Sequence, residues 1–270
     1  MIRQRRVDDA LPSAASIYAV EMPHWTEDYF ERGYAQRWGL HPPSDELCQE
    51  VSGLWALLRM RGGCRAIDIG CGHGRHALAL TTLGAEVIGV DRAAALLNRA
   101  RDLAAETHTT LHLVRGDMRQ LPIQSGCADA AIIMDAFGFF ETEEEHDAVL
   151  REATRVLKAG GGLGLKIVNG SAVIDNFRAT DRVERDGTVV SIDRLLTFEP
   201  TRMTERIRIT GSRADGEYER RQRLYRVEEL RAALGRAGFD DIAVFAQPDG
   251  STFEPHGSST IWLVCRRRVD

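Results

Sequence analysis

The sequence predicts an α/β fold, with a doubly wound sheet of seven strands, an N-terminal helical cap and an antiparallel β insertion. From residue 64 to residue 168, short apolar runs alternate with stretches of helical periodicity, the pattern of a parallel sheet covered by helices. Residues 171–225 differ, because their polar and apolar side chains alternate at period two, as in antiparallel strands. One helical pattern and two strand patterns then follow and complete the sheet.

The first part of the sheet is built from alternating strands and helices. The strands are predicted at Ala66–Ile69, Glu86–Asp91, Thr110–Arg115, Ala128–Met134 and Leu163–Val168. The helices are predicted at His76–Leu83, Ala93–Glu106 and Glu143–Leu157, and the acidic start of the last one complements the positive end of its dipole. After residue 225 we expect a helix over Val227–Ala237, ended by Gly238, and strands over Asp241–Phe245 and Thr260–Arg266.

Two further segments flank this core. Residues 1–62 contain aromatic and proline-rich stretches and a helix from about Ser44 to Arg59, so we expect them to cap the sheet edge. The period-two segment is expected to form a lid. The predicted organisation is therefore a cap (1–62), a core (63–170 and 226–270) and a lid insertion (171–225).

Composition and charge exclude several classes of protein. The chain has 270 residues, a formal net charge of −5 and a pI of about 5.9, which argues against a basic binder of nucleic acids or membranes. Five cysteines without a C-x-x-C pair argue against a disulfide framework or a zinc site. No stretch resembles a signal peptide or a membrane span. We expect a cytoplasmic protein that needs no metal, and monomer and homodimer both stay open.

The strongest local signal is a glycine-rich turn between the first strand and its helix. The run from Asp68 to Gly74 places glycines at 70, 72 and 74, where the backbone of such a sheet approaches a ligand closely. Arg75 stands where the dinucleotide fingerprint G-x-G-x-x-G has its third glycine, so NAD is disfavoured. The glycine pattern therefore predicts a turn where backbone approaches a ligand, without naming the ligand.

Carboxylates follow the next two strands. Asp91 ends the second strand, 21 residues after Gly70, where a carboxylate accepts hydrogen bonds from ribose hydroxyls. Asp117 and Met118 follow the third strand and offer an acceptor for an adenine amino group and an apolar wall. The alternatives are a helix N-cap for Asp91 and a plain turn at Asp117.

With Asp129 to Asp135 and the Leu157 to Gly162 turn, these motifs resemble class I S-adenosylmethionine-dependent methyltransferases, whose core is a Rossmann-like sheet. Residues 223–225, 237–239 and 249–253 resemble more loosely a bacterial small-molecule subgroup with an insertion after strand five. Ala159, where a proline is usual, and His73, where a smaller residue is common, depart from the pattern. The resemblance implies S-adenosyl-L-methionine as cofactor. It would be held by Asp68 and the Gly70 backbone at the methionine amino end, Asp91 at the ribose, Asp117 and Met118 at the adenine, and the Asp135 backbone near the sulfonium. Gly72, Gly74 and Arg92 are the other predicted cofactor-binding residues.

The acceptor pocket is less clearly marked. Its candidates are Trp25, Tyr29, Tyr34, Phe137, Phe139, Phe140, Asn169, Arg206 and His256, with His24 as the preferred catalytic base. Alignment of an acceptor behind the methyl group carries much of the barrier reduction in such a transfer, so a base is optional. The aromatic residues are equally open to simple packing of the cap, and His256 to being an ordinary loop residue.

Arginine dominates the basic residues, since Lys158 and Lys166 are the only lysines among 35 Lys and Arg. A GC-rich genome explains this bias, but eight arginines between 202 and 226 also raise the question of an anionic acceptor. Arg206 and Arg208 share one strand face, with Arg202 in the same parity. Glutamates interleave with these arginines and can neutralise them, so a solvated charged face is the favoured interpretation and an anionic acceptor the alternative.

The expected function is methyl transfer from S-adenosylmethionine to a nitrogen or oxygen of a small-molecule acceptor. One alternative is an RNA or protein methyltransferase, which the acidic pI and Asp135-Ala-Phe-Gly, in place of N/D-P-P-Y/F, both disfavour. Another alternative is a module that binds the cofactor without transferring its methyl group. Intact cofactor residues do not separate these readings.

Overall fold

A computed structural model describes residues 25–185, 187–211 and 215–269. Its main sheet has seven strands in the order β10-β11-β5-β4-β1-β2-β3. They are β1 (Arg65–Ile69), β2 (Glu86–Asp91), β3 (His112–Arg115), β4 (Ala128–Met134), β5 (Leu157–Val168), β10 (Phe239–Phe245) and β11 (Thr260–Arg267). All neighbours pair in parallel except β11, which is antiparallel to both β5 and β10. The predicted α/β fold class is confirmed.

Helices cover both faces of this sheet. They are α3 (Asp45–Leu57), α4 (Arg75–Thr82), α5 (Ala94–Glu106), α6 (Glu143–Val156) and α8 (Val227–Ala237). One core cluster joins the sheet to α6 and α8, with Val149 and Leu234 fully buried. The other joins it to α3 and α4, with Leu54 and Leu80 fully buried. Burial on both faces explains why the strands read as continuous apolar runs.

The direction of strand order changes between β1 and β4. From β1 the chain adds β2 and β3 on one side, then returns to place β4 and β5 on the other. Ala66 and Asp68 thus pair with β2 on one side and with β4 on the other. Such a switch point leaves a crevice at the carboxyl ends of the strands, where ligands of this fold class bind.

A second sheet and an N-terminal helical segment lie over this edge. The sheet contains β6 (Thr180–Arg185), β7 (Thr188–Thr197), β8 (Arg202–Gly211) and β9 (Gly216–Arg223), all antiparallel and in sequence order. The N-terminal segment is α1 (Trp25–Asp28), a π-helical turn (Tyr29–Gly33) and α2 (Tyr34–Trp38). Ile192, Ile207 and Tyr218 of the sheet pack against Tyr29 of the helices.

Several elements differ from the prediction. The structure adds β6, whose single apolar residue Val183 is exposed, so no buried face produced a pattern there. It also adds α7 (Gly170–Asp175), a short helix capped by Asn169. Strand β5 begins at Leu157, before the glycine turn, because Leu157 already pairs with Ala128 ahead of a register shift. Among the described residues, no helix combines the length and apolar character that crossing a membrane requires.

Candidate active site

A cleft of about 630 Å³ opens at the carboxyl ends of β1 to β4. Its floor is formed by loops that follow each of these strands, and its roof by the N-terminal helices and the inner face of β8 and β9. Lining residues on the floor include Gly70, Asp91, Asp117, Met118 and Asp135; those on the roof include Tyr34, Met203, Arg220 and Gln222. The structure thus brings the predicted cofactor residues to one edge of the sheet.

The glycine loop presents bare backbone to this cleft. Gly70 has a φ of +76°, and a Cβ added to it would lie 2.6 Å from the Cβ of Ala136 and 2.9 Å from the Cε of Met118. Gly74, at φ +82°, is the N-cap residue of α4. An L side chain at Gly70 would therefore be strained and would clash. The cradle fits a ligand that lies against the main chain.

Asp68 lies beneath this loop and is 1% exposed. Neither of its carboxylate oxygens has a partner at hydrogen-bond distance and angle among the described residues. Burial raises the pKa of Asp68 to about 6, against the attraction of nearby His76. The backbone amide of Ala77 also lowers this pKa, and Asp68 is not among the residues that line the cleft. A cationic ligand group close to the glycine loop would offset the cost of this buried charge. The amino end of S-adenosylmethionine fits that requirement.

Asp91 is held in place by the backbone on both sides. Its Oδ2 accepts from the Gly72 amide at 2.7 Å, and its Oδ1 accepts from the Ala93 amide at 2.9 Å. Burial raises the pKa of Asp91, while these amides oppose that shift. Each oxygen keeps a further lone pair, so the carboxylate can also accept from two ribose hydroxyls. The Arg92 side chain pairs with Glu27, although the residue lines the cleft.

The start of α5 is capped from outside the core, by a residue that the sequence did not reveal. Glu31 of the π-helical turn accepts from the amides of Ala94 and Ala95, at 2.8 and 2.9 Å. The N-cap position itself is Ala93, whose side chain offers no acceptor. Asp91 is therefore not the N-cap residue. The N-terminal helices are tied to the cofactor side of the cleft.

Asp117 corrects the prediction in part. It lines the cleft, but its carboxylate accepts from the Arg119 guanidinium through Nε at 3.0 Å and Nη2 at 2.6 Å. Although burial alone would raise the pKa of Asp117, the hydrogen bonds from Arg119 hold it below its ordinary value. Arg119 also pairs with Glu145 and stacks on Phe140. An adenine amino group would have to share this carboxylate with Arg119.

Asp135 follows β4 directly in a strained conformation and is the first of a set of linked polar side chains. Its φ of +54° is unusual for a residue with a side chain. Its amide donates to the Lys166 carbonyl at 2.9 Å, and its carboxylate lies 3.3 Å from Lys166 Nζ. Lys166 also pairs with Glu50 at 3.0 Å, which His76 contacts at 3.2 Å. Sequence analysis missed this set, although a lysine inside an apolar strand was a signal.

Aromatic residues line one part of the cleft. Tyr29, Tyr34, Phe139 and Phe140 all line it. Trp25 lies behind them, with its ring centroid 6.3 Å from that of Phe139 and its indole nitrogen donating to Glu141. His24, the predicted base, lies outside the described residues.

Four predicted pocket residues lie elsewhere. Asn169 is buried and donates to the carbonyls of Pro255 and Ser258, because it caps α7 and fixes a loop. Arg206 is exposed on the outer face of β8. His256 pairs with Asp175 at 2.6 Å on the surface. Phe137 stacks on Tyr225 within the main core.

The inner face of the lid supplies residues in their place. Met203, Arg220 and Gln222 line the cleft, and Met203 pairs with Gln222 across β8 and β9. The apolar parity of Met203, Ile207 and Ile209 was readable from the sequence. This alternation places Arg206 on the outer face of the strand. The pairing of β8 with β9, which brings Arg220 to the inner face, could not be predicted from the sequence.

Comparison with known proteins finds similarity to methyltransferases. Residues 66–161 match the family described as "Methyltransferase domain". A ubiquinone biosynthesis O-methyltransferase of Xanthomonas oryzae is 32% identical over 108 residues, 40% of this chain and 44% of that protein. A malonyl-acyl-carrier-protein O-methyltransferase of Geobacter sulfurreducens is 28% identical over 207 residues, 76% of this chain and 65% of that protein. The matched segment thus spans less than half of the first relative's length.

Solved structures share the fold. A S-adenosylmethionine-dependent methyltransferase from Clostridium acetobutylicum superposes with a TM-score of 0.74 at 13% identity, covering 90% of this chain and 99% of that one. A S-adenosylmethionine-bound amino pentose methyltransferase from Micromonospora reaches 0.60 at 24% identity, covering 88% and 96%. The (4+2)-cyclase SpnF reaches 0.54 at 19% identity, covering 83% and 82%.

Proposed function

We propose that this chain is a class I S-adenosylmethionine-dependent methyltransferase that transfers the methyl group to a nitrogen or oxygen of a small-molecule acceptor. The observation that carries the proposal is Asp68, a buried carboxylate that no side chain of the described residues meets at hydrogen-bond distance and angle, beneath a glycine loop that a side chain would block. A cationic nucleoside cofactor meets both requirements. The O-methyltransferase names of two relatives support transfer to oxygen, and the ubiquinone biosynthesis name of one of them supports a small acceptor.

The residues of the chain divide the cofactor among them. Asp68 would hold the amino group, Asp91 the ribose and Met118 the face of the adenine, and the Asp135 backbone would lie on the sulfonium side. S-adenosylmethionine supplies an electrophilic methyl group on a good leaving group. The chain's task is then to orient the acceptor, and orientation of this kind contributes roughly 7–11 kcal/mol to lowering a barrier.

The aromatic residues of the cleft suit that task. Tyr34 from the roof and Phe139 and Phe140 from the loop after β4 line it, and their rings offer an apolar surface for an acceptor. Burial raises the pKa of Tyr34, and Arg75 opposes the shift. Its hydroxyl therefore stays protonated at neutral pH and donates to an acceptor rather than taking its proton. An acceptor that is neutral and nucleophilic when bound, such as an amine, needs no further base.

The shape of the cleft favours a small acceptor over a macromolecule. The N-terminal helices and the lid cover it from two sides, and they are joined to each other through Arg37 and Glu205 at 3.1 Å. An RNA or protein segment would have to separate this contact to reach the floor. The small-molecule reading needs no such opening.

A second function is kept because one solved structure with this fold is named as a cyclase. The chain would then bind S-adenosylmethionine without using its methyl group. The two functions separate in one assay, in which purified protein is incubated with S-adenosylmethionine and a panel of amines, phenols and carboxylates. Methyl transfer predicts stoichiometric S-adenosylhomocysteine and a methylated product by mass spectrometry. Tight cofactor binding with no product across the panel would favour the second function.

A further inference from the structure

A buried cluster of charges links the lid to the N-terminal helices. Glu205, 1% exposed on the inner face of β8, contacts the guanidinium groups of Arg37 at 3.1 Å, Arg194 at 2.9 Å and Arg220 at 2.6 Å. These three arginine side chains are only 8%, 16% and 17% exposed. One carboxylate thus offsets one of three positive charges. Asp181, a further partner of Arg194 at 3.5 Å, is 41% exposed.

Of these three arginines, Arg220 is the one that lines the cleft. Its guanidinium lies 5.8 Å from the ring centroid of Phe139, on the acceptor side. Its Nε is buried and has no hydrogen-bond partner in the part of the chain that the structure describes. A buried donor without a partner and an excess of positive charge are both costly. An oxyanion bound to this guanidinium would offset the excess positive charge.

We propose that the acceptor carries an anionic group, a carboxylate or a phosphate ester, and that Arg220 binds it at the lid face of the cleft. This inference rests on the function proposed above and names the class of its substrate. The planar guanidinium suits both oxyanions, and Phe139 beside it offers an apolar surface for the rest of the molecule. Arg206 and Arg208 play no part, because both are exposed on the outer face of β8.

The test uses the whole protein saturated with S-adenosylhomocysteine and three aromatic probes of similar shape. Calorimetric titrations compare 4-hydroxybenzoate and phenyl phosphate, which are anions, with the neutral methyl 4-hydroxybenzoate. We expect at least one anion to bind about ten- to hundredfold more tightly than the ester, as for a hydrogen bond between charged groups. The better of the two anions identifies the group that the site prefers.

Variants assign the effect to Arg220. Arg220→Gln should remove the preference for the anion, and Arg220→Lys, which keeps the charge but not the fork, should retain part of it. Arg221→Gln is the matched control, because Arg221 is a neighbour on the same strand that is 45% exposed and paired with Glu219. Thermal unfolding of each variant establishes that the fold is retained, and Arg220→Lys carries the test if Arg220→Gln does not fold.

Three results would overturn the inference. The ester could bind as tightly as both anions, or Arg220→Gln could bind the anions as the parent does. Alternatively, Arg220→Gln could weaken S-adenosylhomocysteine instead, which would assign Arg220 to the cofactor's own carboxylate. A parent protein that binds no S-adenosylhomocysteine would contradict the proposed function as well, whereas tight binding without a preference for anions contradicts the inference alone.

Discussion

At the scale of single residues, the buried carboxylate of Asp68 lowers the stability of the folded protein. A carboxylate at Asp68 is desolvated and has no side-chain hydrogen-bond partner among the described residues, and its pKa is raised to about 6. In the unfolded chain an aspartate has a pKa of about 3.9. The folded state therefore resists ionisation, and the cost is present above pH 6 and absent below about pH 4.

This cost predicts that Asp68→Asn stabilises the protein when no cofactor is bound. At pH 7.5 the free energy of unfolding should rise by about 1–3 kcal/mol, since each unit of pKa shift corresponds to about 1.4 kcal/mol and the buried amide offsets part of the gain. The gain should shrink as the pH falls through 6 and vanish near pH 4. Urea unfolding of both proteins at several pH values measures it. A variant that is less stable than the parent at pH 7.5 would show that Asp68 has a partner.

Residues set by local spacing were predictable, and residues set by tertiary contact were not. The glycine loop and Asp91 follow from strand ends and their spacing, and the structure places both at the cleft. The pairing of Asp117 with Arg119 and the buried Glu205 cluster depend on how side chains meet. Arg206 was misplaced although the parity of its apolar neighbours already pointed it outward.

At the scale of elements, some glycines are required by the backbone conformation and others are not. Gly70 has a positive φ and no room for a Cβ, because Ala136 lies 2.6 Å from where that atom would be. Gly235 lies inside α8, and a Cβ there would meet nothing within 4 Å. The same substitution at the two sites should therefore have opposite effects on stability.

We predict that Gly70→Ala destabilises the fold by more than 1 kcal/mol and abolishes S-adenosylmethionine binding, because of strain and the clash. Gly235→Ala should instead stabilise it by about 0.5–1 kcal/mol, the difference in helix propensity, and leave cofactor binding unchanged. Melting temperature and calorimetric titration measure both effects. Normal cofactor affinity in Gly70→Ala would contradict the assigned role of this loop.

The elements of the core were predicted with small errors at their ends, because buried parallel strands and amphipathic helices have strong sequence patterns. Strand β4 and helix α8 have the predicted bounds. Strand β6 and helix α7 were missed, since one has no buried face and the other is only six residues long. Elements that bury little apolar surface have a weak hydrophobic periodicity. Their positions depend on contacts with neighbouring elements, which the sequence does not show.

At the scale of the whole molecule, the roof of the cleft depends on one buried carboxylate. Glu205 joins β7, β8 and β9 to α2 through three arginines. Although burial alone would raise it, the pKa of Glu205 lies below its ordinary value because the three arginines attract the charge. Ion pairs of Glu205 therefore hold the roof together. Because these groups are buried, water cannot take the place of either partner.

Glu205→Gln should destabilise the protein by about 3–5 kcal/mol at pH 7, because it leaves buried guanidinium groups without their counter-charge. The matched control is Glu217→Gln on β9, whose pair with Arg208 is exposed on both sides and should contribute less than about 1 kcal/mol. Urea unfolding provides both values. Equal effects of the two substitutions would mean that the cluster does not hold the roof.

The central claim is that this edge of the sheet binds S-adenosylmethionine through Asp91, and calorimetric titration of three proteins tests it most directly. Asp91→Ala removes the carboxylate at the carboxyl end of β2, and Glu86→Ala removes an exposed one at the other end of the same strand. We predict that the parent and Glu86→Ala bind S-adenosylmethionine alike, while Asp91→Ala binds it about ten- to hundredfold more weakly. A parent that does not bind S-adenosylmethionine, or an Asp91→Ala variant that binds it as the parent does, would contradict the claim.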